Sequence, residues 1–141
     1  DYCIINELET QQTTGVLLRG EDGTLHVENM KAALQKMHEL GVAKWAVIHC
    51  PEIGCGMDQD GNYYEEKSLK LPKGYIQGTV GAGDAFSSTF SCAWKRGYSL
   101  KDAAAIASAA SAQIVGTVGA TAGMKDFDAL VSFARACGAL D

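Results

Sequence analysis

Runs of positive charge are absent from this sequence of 141 residues. Its 12 Lys and Arg residues are scattered and are outnumbered by 17 Asp and Glu residues, which gives a formal net charge of −5 and a pI near 5.1. Nucleic acids and anionic membranes attract proteins through clustered basic residues, so we expect neither as a partner. A small phosphate compound remains compatible with this charge, because a nest of backbone amides binds an anion without basic side chains.

Long apolar segments are also missing. No charged start leads into an apolar run of the length that a secretory signal or a membrane span requires. The chain opens directly in a short apolar segment, Tyr2 to Ile5, which is unusual for a native N-terminus and predicts a fragment or a cropped domain. The apolar share of 47% is nevertheless sufficient for one globular core.

The sequence contains no pair of CxxC motifs. Its cysteines are odd in number and scattered, which indicates reduced thiols and a cytoplasmic protein: Cys3, Cys50, Cys55, Cys92 and Cys137. The group that comes nearest to a metal cluster is His49, Cys50 and Cys55. The apolar residues before it and Pro51 within it favour the end of a strand instead.

The apolar pattern predicts alternating strands and helices. The segments Ile4-Ile5 and Trp45 to Ile48 are continuous apolar runs, typical of parallel strands covered on both faces. Helical spacing from Met30 to Leu40 predicts a helix that ends at Gly41, and the turn-rich segment from Gly54 to Tyr64 predicts an exposed hairpin. This order fits an α/β domain with helices on a mostly parallel sheet. Four further helices are predicted: a short one ended by Gly15, Ala85 to Arg96, Ser99 to Val115, and Asp126 to Cys137.

Three glycines in six residues mark the segment from Gly78 to Gly83. Such a loop presents successive amides to an anion at the positive end of the helix that follows. The segment lacks the GK[ST] ending of a Walker loop, and Phe86 occupies the place of the third glycine in a dinucleotide fingerprint. The sequence therefore indicates another kind of phosphate loop, with a dinucleotide-dependent oxidoreductase as a weaker alternative.

Asp84 follows the last glycine of this loop, where a carboxylate would repel a phosphate unless it had a chemical task. Phosphoryl transfer uses a base near the acceptor hydroxyl, and an ionised aspartate at a helix N-terminus can accept that proton. The neighbouring amides would stabilise charge on the transferred group. The alternative is that Asp84 only caps the helix, and the loop sequence does not choose between the two.

The segment Gly81-Ala82-Gly83-Asp84-Ala85-Phe86 resembles the GAGDAF core of the second signature of PfkB carbohydrate kinases, the ribokinase-like family. The resemblance implies that Asp84 is the catalytic base and that Gly81, Ala82 and Gly83 form the anion hole. The segment Asn6-Glu7-Leu8-Glu9 follows a predicted strand and resembles the NxxE motif of that family. Asn6 and Glu9 would then arrange Mg²⁺ and the phosphates of ATP, the alternative being an exposed turn.

The resemblance also implies nucleotide contacts elsewhere. Gly54 matches the final glycine of a turn that lies over the nucleotide in the family, and Thr79 belongs to the glycine loop. The run from Ala103 to Gly123 resembles the alanine-rich helix and the loop beside the adenine, which implies contacts at Gly119 and Ala120. A plain packed helix with a glycine-rich end is the alternative for that run.

The fold implied by the resemblance is a Rossmann-like three-layer sandwich. Residues 1–141 would form its C-terminal, ATP-binding and catalytic portion. The N-terminal half and the β lid, which carry the residues that bind the sugar in the family, have no counterpart here. We therefore expect a sugar or sugar-like substrate, the missing half of the same protein as a partner, and little phosphoryl transfer by this chain alone. Many members of the family pair through this lid, so the resemblance implies a homodimer as one assembly of the complete protein and leaves the oligomeric state open.

Two positions depart from the pattern of the family. Gly78 stands where an aspartate usually helps to bind an activating monovalent cation, so activation by K⁺ is in doubt. Pro51 removes a backbone donor from the turn that precedes Gly54, which alters the nucleotide contacts expected there. Both departures support a second hypothesis, a catalytically inactive relative that binds or senses nucleotide.

Overall fold

The computed structural model describes residues 1–141, which form two compact units, Asp1–Glu65 and Glu66–Asp141. The strands are β1 (Tyr2–Asn6), β2 (Trp45–His49), β3 (Ile53–Asp58) and β4 (Tyr63–Lys67). The α-helices are α1 (Glu7–Thr14), α2 (Met30–Glu39), α3 (Ala82–Lys95), α4 (Leu100–Val115) and α5 (Phe127–Ala136), and a 3-10 turn spans Val27–Asn29. None of the helices combines the length and the apolar character that crossing a bilayer demands.

The four strands form one mixed sheet in the order β1-β2-β3-β4. Strands β1 and β2 are parallel, with Asn6 opposite His49, so both strands end at the same edge of the sheet. Strands β2 and β3 are antiparallel, with Trp45 opposite Asp58. The connection from His49 to Ile53 is too short for the crossover that parallel strands need, so the expected parallel pairing is limited to β1 and β2.

Helix α2 supplies much of the core of the first unit. Its residues Ala33, Leu34 and Met37 are buried, as the helical spacing predicted, and they belong to one apolar cluster with residues of β2 and β3. Through this cluster α2 packs against β2 and β3, and this packing fixes the positions of the ends of both strands.

The predicted hairpin is present as β3 and β4. The Asp58 side chain accepts hydrogen bonds from the amides of Asp60 and Asn62, both at 2.9 Å, and Gly61 adopts the left-handed φ of 80° that this turn requires. The prediction that this region is exposed was wrong for β3, which is buried from Ile53 to Met57. Gly54 and Gly56 are residues typical of exposed turns, but a strand inside a sheet accommodates them.

The second unit consists of α3, α4 and α5, with α4 packed against the other two. Ser99 caps α4 through its side chain, as predicted, and Asp126, the predicted first residue of the last helix, caps α5 in the same way. Helix α3 begins at Ala82, earlier than the predicted Ala85, so Gly83 and Asp84 are already helical. The low helix propensity of glycine concealed this early start.

Candidate active site

The glycine loop ends in a tight turn that opens helix α3. Gly81 is the N-cap residue, with a left-handed φ of 84°, and its carbonyl accepts the amide of Ala85 at 2.9 Å. A side chain at Gly81 would collide with the Ala120 backbone, since a Cβ there would lie 2.8 Å from the Cα of Ala120. Glycine is therefore required here both for the backbone conformation and for the close approach of the loop after α4.

The backbone of this turn is held from two sides. The Ala82 amide donates to the carbonyl of Thr79 at 3.3 Å, which is a long bond, and the Ala82 carbonyl accepts the Ser111 hydroxyl at 2.8 Å. The amides of Gly83 and Asp84 lie in the first turn, where an α-helix provides no acceptor for its N–H groups. A phosphate oxygen at this helix N-terminus would meet donors that are already oriented.

The carboxylate of Asp84 is exposed in the first turn of α3, and it takes part in no hydrogen bond or ion pair within the chain. Helices α1, α4 and α5 use the side chains of Asn6, Ser99 and Asp126 as caps, whereas the N-cap of α3 is Gly81, without a side-chain bond. The cap alternative for Asp84 therefore has no hydrogen bond to support it.

A cavity of about 200 Å³ opens beside this carboxylate. Typical small-molecule pockets have about 300 to 1,000 Å³, so this space suits part of a ligand rather than a whole nucleotide. The structure brings Gly81, Asp84 and Ala120 together on the wall of the cavity, while Thr79 and Gly119 are exposed and lie outside it. The remaining lining residues are Ala85, Ser88, Ile114, Thr121 and Met124.

The segment before the turn is fastened to the end of α4. The amides of Gln77 and Gly78 donate to the Val115 carbonyl at 2.7 and 3.4 Å. The Tyr75 ring lies so close to Gly116 that a Cβ there would be 2.8 Å from the ring. These contacts set the path of the glycine loop. Neither Tyr75 nor Ser111 was predicted from the sequence, because the residues that they contact, Gly116 and Ala82, lie far from them along the chain.

In the first unit, Asn6 and Glu9 form a capping box at the junction of β1 and α1. The Asn6 side chain accepts the Glu9 amide at 2.8 Å, and the Glu9 carboxylate accepts the Asn6 amide at 3.0 Å. This structural role explains the spacing of the two residues without any ligand. It leaves the second oxygen of the exposed Glu9 carboxylate unengaged, and Mg²⁺ is commonly held by one or two carboxylates together with water and phosphate oxygens.

No cluster of three or more His, Cys, Asp or Glu side chains is placed to hold a metal ion. His49 is the last residue of β2, as predicted, and the Cys50 thiol donates to the Ile53 carbonyl at 3.3 Å. Burial raises the pKa of Cys50 to about 11 and that of Cys55 to about 12, so both stay protonated at neutral pH. All five cysteines are free thiols.

Gly54 lies within β3, buried and opposite His49, while Pro51 and Glu52 form the exposed part of the turn before it. The predicted nucleotide turn thus presents Pro51 and Glu52, rather than Gly54, at its surface. Gly78 is half-buried, and its place offers no side chain to any ligand.

A partly buried charge network in the first unit was not predicted from the sequence. The Arg19 guanidinium bonds to Glu7 at 2.7 Å and to both oxygens of Glu52 at 2.8 and 2.9 Å. Hydrogen bonds from Arg19 lower the pKa of Glu52, and the two carboxylates raise the pKa of Arg19. The residues are too far apart in sequence to form a recognisable pattern, since Arg19 and Glu52 are separated by 33 positions.

Known proteins resemble this chain in sequence and in fold. Residues 1–139 match the model of the pfkB family of carbohydrate kinases. A ribokinase from Arabidopsis thaliana is 30% identical over 126 residues, which make up 89% of this chain and 31% of that protein. The chain therefore spans about a third of this curated relative.

Solved structures show the same relationship. The ribokinase of Arabidopsis thaliana, complexed with ribose and ATP, superposes with a TM-score of 0.79 at 26% identity, over 96% of this chain and 41% of that chain. The ribokinase of Thermotoga maritima gives a TM-score of 0.74 at 23% identity, over 96% and 42% of the two chains. These superpositions confirm the predicted ribokinase-like α/β fold, and the match over nearly the whole sequence establishes that this chain belongs to the pfkB family of carbohydrate kinases.

Proposed function

We propose that the protein containing this chain transfers the terminal phosphoryl group of ATP to a hydroxyl of a sugar or sugar-like molecule, and that it does so in the cytoplasm. Membership of a family of carbohydrate kinases supports the reaction class. A relative that was solved with ribose and ATP supports the pairing of substrates. The observation that carries the proposal is the exposed Asp84 carboxylate, which lies in the first turn of α3 but does not cap the helix.

Asp84 acts as the general base of this reaction. Its carboxylate accepts the proton of the acceptor hydroxyl while the hydroxyl oxygen forms a bond to the terminal phosphorus and the bond from that phosphorus to ADP breaks. The amides of Gly81, Ala82 and Gly83 donate to the phosphoryl oxygens, with Ala82 giving up its long bond to Thr79. The positive end of α3 adds to this stabilisation.

Nucleotide contacts at Thr79, Gly119 and Ala120 fit the same surface of the second unit. Ala120 lies against Gly81, so a phosphate held by the turn places the rest of the nucleotide along the loop after α4. That loop is exposed at Gly119 and Ala120, which leaves its backbone accessible. In the first unit, Gly54 is buried in β3 and supports the exposed turn of Pro51 and Glu52, through which this region would contact the nucleotide.

Asn6 and Glu9 would hold Mg²⁺, which neutralises charge on the phosphates of ATP when it is bound. The exposed Glu9 carboxylate offers one unengaged oxygen, and the capping box orients it through the Asn6 amide. A carboxylate that is fixed in this way suits a contact through a water molecule, because the hydrated ion demands regular geometry.

The test is Asp84→Asn in the protein that contains this chain, measured by ADP release with a panel of sugars and by calorimetry with ATP. Loss of a general base should lower turnover by about 10²- to 10⁴-fold while the affinity for ATP stays nearly unchanged. Because the Asp84 carboxylate makes no hydrogen bond, the substitution removes only its interaction with the helix dipole, and stability should change by at most about 0.3 to 1 kcal/mol.

Asp128→Asn is the matched control, since Asp128 also lies in the first turn of a helix without being its N-cap. It should leave turnover unchanged. An Asp84→Asn variant with a near-normal rate would refute the role of Asp84. Binding of ATP without turnover on any sugar would instead favour the inactive nucleotide-binding relative, and binding of NAD would favour an oxidoreductase.

A further inference from the structure

The guanidinium of Arg19 is saturated with acceptors. Its Nε and Nη2 donate to Glu7 Oε1 at 3.1 and 2.7 Å, and its Nη1 and Nη2 donate to the two oxygens of Glu52 at 2.8 and 2.9 Å. A further bond joins Nη1 to the Gly23 carbonyl at 3.0 Å. A guanidinium has five N–H donors, so each of them has a partner in this geometry.

This network is more than an exposed ion pair. The side chains of Arg19 and Glu7 are only 17% and 10% exposed, whereas that of Glu52 is 48% exposed. Exposed pairs contribute little, but a bidentate contact of arginine with a carboxylate combines strength with a fixed geometry. The buried pair therefore anchors the guanidinium, and the anchored guanidinium in turn fixes the position of Glu52.

Glu52 belongs to the turn between β2 and β3, which has few other restraints. The Cys50 amide and thiol donate to the Ile53 carbonyl at 2.9 and 3.3 Å, and Pro51 and Glu52 project from the turn. This turn follows His49, which is opposite Asn6 in the parallel pair, so it lies at the carboxyl edge of the strands. Ligands of open α/β sheets bind at this edge.

We propose that Arg19 is a positioning residue, which holds the β2–β3 turn through Glu52 in the conformation that binds nucleotide. The inference rests on the proposed function, because the turn matters only if the protein binds ATP. Arg19 is not proposed to contact the reacting atoms. Its effect should therefore appear in the binding of ATP and not in the chemical step.

Glu52→Ala is the decisive variant in the protein that contains this chain. Its half-exposed side chain can be removed without opening the core, and the turn then has to be ordered when the nucleotide binds. The Kd and the KM for ATP should rise about 3- to 10-fold, the cost of ordering one or two side chains, with kcat within about twofold of the original value. Glu52→Gln, which keeps one oxygen acceptor and the same length, should recover part of the affinity.

Arg19→Lys should raise the KM for ATP at least as much, because a single ammonium group cannot reproduce the planar fork. Lys36→Ala is the control, since the exposed pair of Lys36 and Glu39, at 2.9 Å, lies in the same unit and should have no effect on ATP. Unfolding in urea shows whether each variant is folded.

The outcomes separate this inference from the proposed function. An unchanged KM for ATP in Glu52→Ala would overturn the inference, as would a fall in kcat at constant KM. If the original protein binds no ATP, both the proposed function and this inference are refuted. If the original protein binds ATP normally and only the Glu52 result is negative, the proposed function stands.

Discussion

Gly81 is the residue on which the geometry of the phosphate-binding turn most depends. Its φ of 84° is strained for any residue with a side chain, and a Cβ would also collide with the Ala120 backbone. Gly81→Ala should therefore destabilise the protein by the backbone strain, about 1 to 3 kcal/mol, and by the additional displacement of the loop at Ala120. Denaturation in urea measures the difference.

Gly97→Ala separates these two costs. Gly97 has a similar φ of 92°, but nothing lies within 4 Å of a Cβ at that position. This control should show the backbone strain alone and should retain ATP binding, whereas Gly81→Ala should lose it. Equal destabilisation of the two variants would mean that the contact with Ala120 is unimportant.

Individual site residues could be predicted from the sequence only where their neighbours in space are also neighbours in the chain. The glycines and Asp84 form one continuous segment, so the amides and the carboxylate are visible together in the sequence. Arg19 finds its partners 12 and 33 positions away, and Ser111 reaches Ala82 across 29 positions. Such contacts depend on the fold and leave no local pattern.

At the scale of the element, the helix starts at Ser99 and Asp126 were predicted from the sequence, and both residues are N-caps. Asp126 accepts the Ala129 amide at 2.9 Å and opens α5, whose residues Leu130, Val131 and Ala134 are buried. Asp126→Ala should destabilise the protein by about 0.5 to 2 kcal/mol, because the first-turn amides lose their acceptor. The midpoint of urea unfolding tests this.

The control for this prediction is Asp128→Ala, which removes an acidic residue from the same turn without removing the cap. It removes only the interaction of the Asp128 charge with the helix dipole, and the free energy of unfolding should fall by about 0.3 to 1 kcal/mol at most. If both substitutions cost the same, the charge of the first turn and not the capping bond stabilises α5.

The elements that the sequence predicted incorrectly share a physical cause. Helix α3 begins at a glycine cap, and β3 contains Gly54 and Gly56, so both carry residues that are typical of loops. A Cβ at Gly56 would lie 2.5 Å from the Tyr64 hydroxyl, so tertiary packing requires the glycine that local propensity disfavours. The helices rich in regularly spaced apolar residues, such as α2, were predicted within a residue or two.

At the scale of the whole molecule, the candidate site residues are divided between two compact units. Asn6, Glu9 and Gly54 lie in Asp1–Glu65, while Asp84 and the glycine turn lie in Glu66–Asp141. The chain spans 31% of a curated relative and 41% of a solved one. Substrate choice is the property that this sequence predicts least, since none of its candidate site residues distinguishes one sugar from another.

Stability against acid should depend on the first unit, where several carboxylates are held in their charged form. The pKa of Asp22 is lowered by hydrogen bonds from Thr24, and that of Glu52 by hydrogen bonds from Arg19. At Asp58, burial acts in the opposite direction, but hydrogen bonds from Asn62 prevail and the pKa is again lowered. All three groups bind protons less readily in the folded chain than in the unfolded chain.

A lowered pKa in the folded state stabilises the fold above the ordinary value of the group, which is 4.5 for Glu52 and 3.8 for Asp22. This stabilisation is lost as the pH falls through the folded-state pKa, because the unfolded chain then takes up more protons. The free energy of unfolding in urea should therefore fall steadily between pH 5 and about pH 3. Glu52→Gln should be less stable than the original protein at pH 7 but lose less on acidification, so the two curves should converge at low pH; parallel curves would show that the contact with Arg19 does not contribute to acid sensitivity.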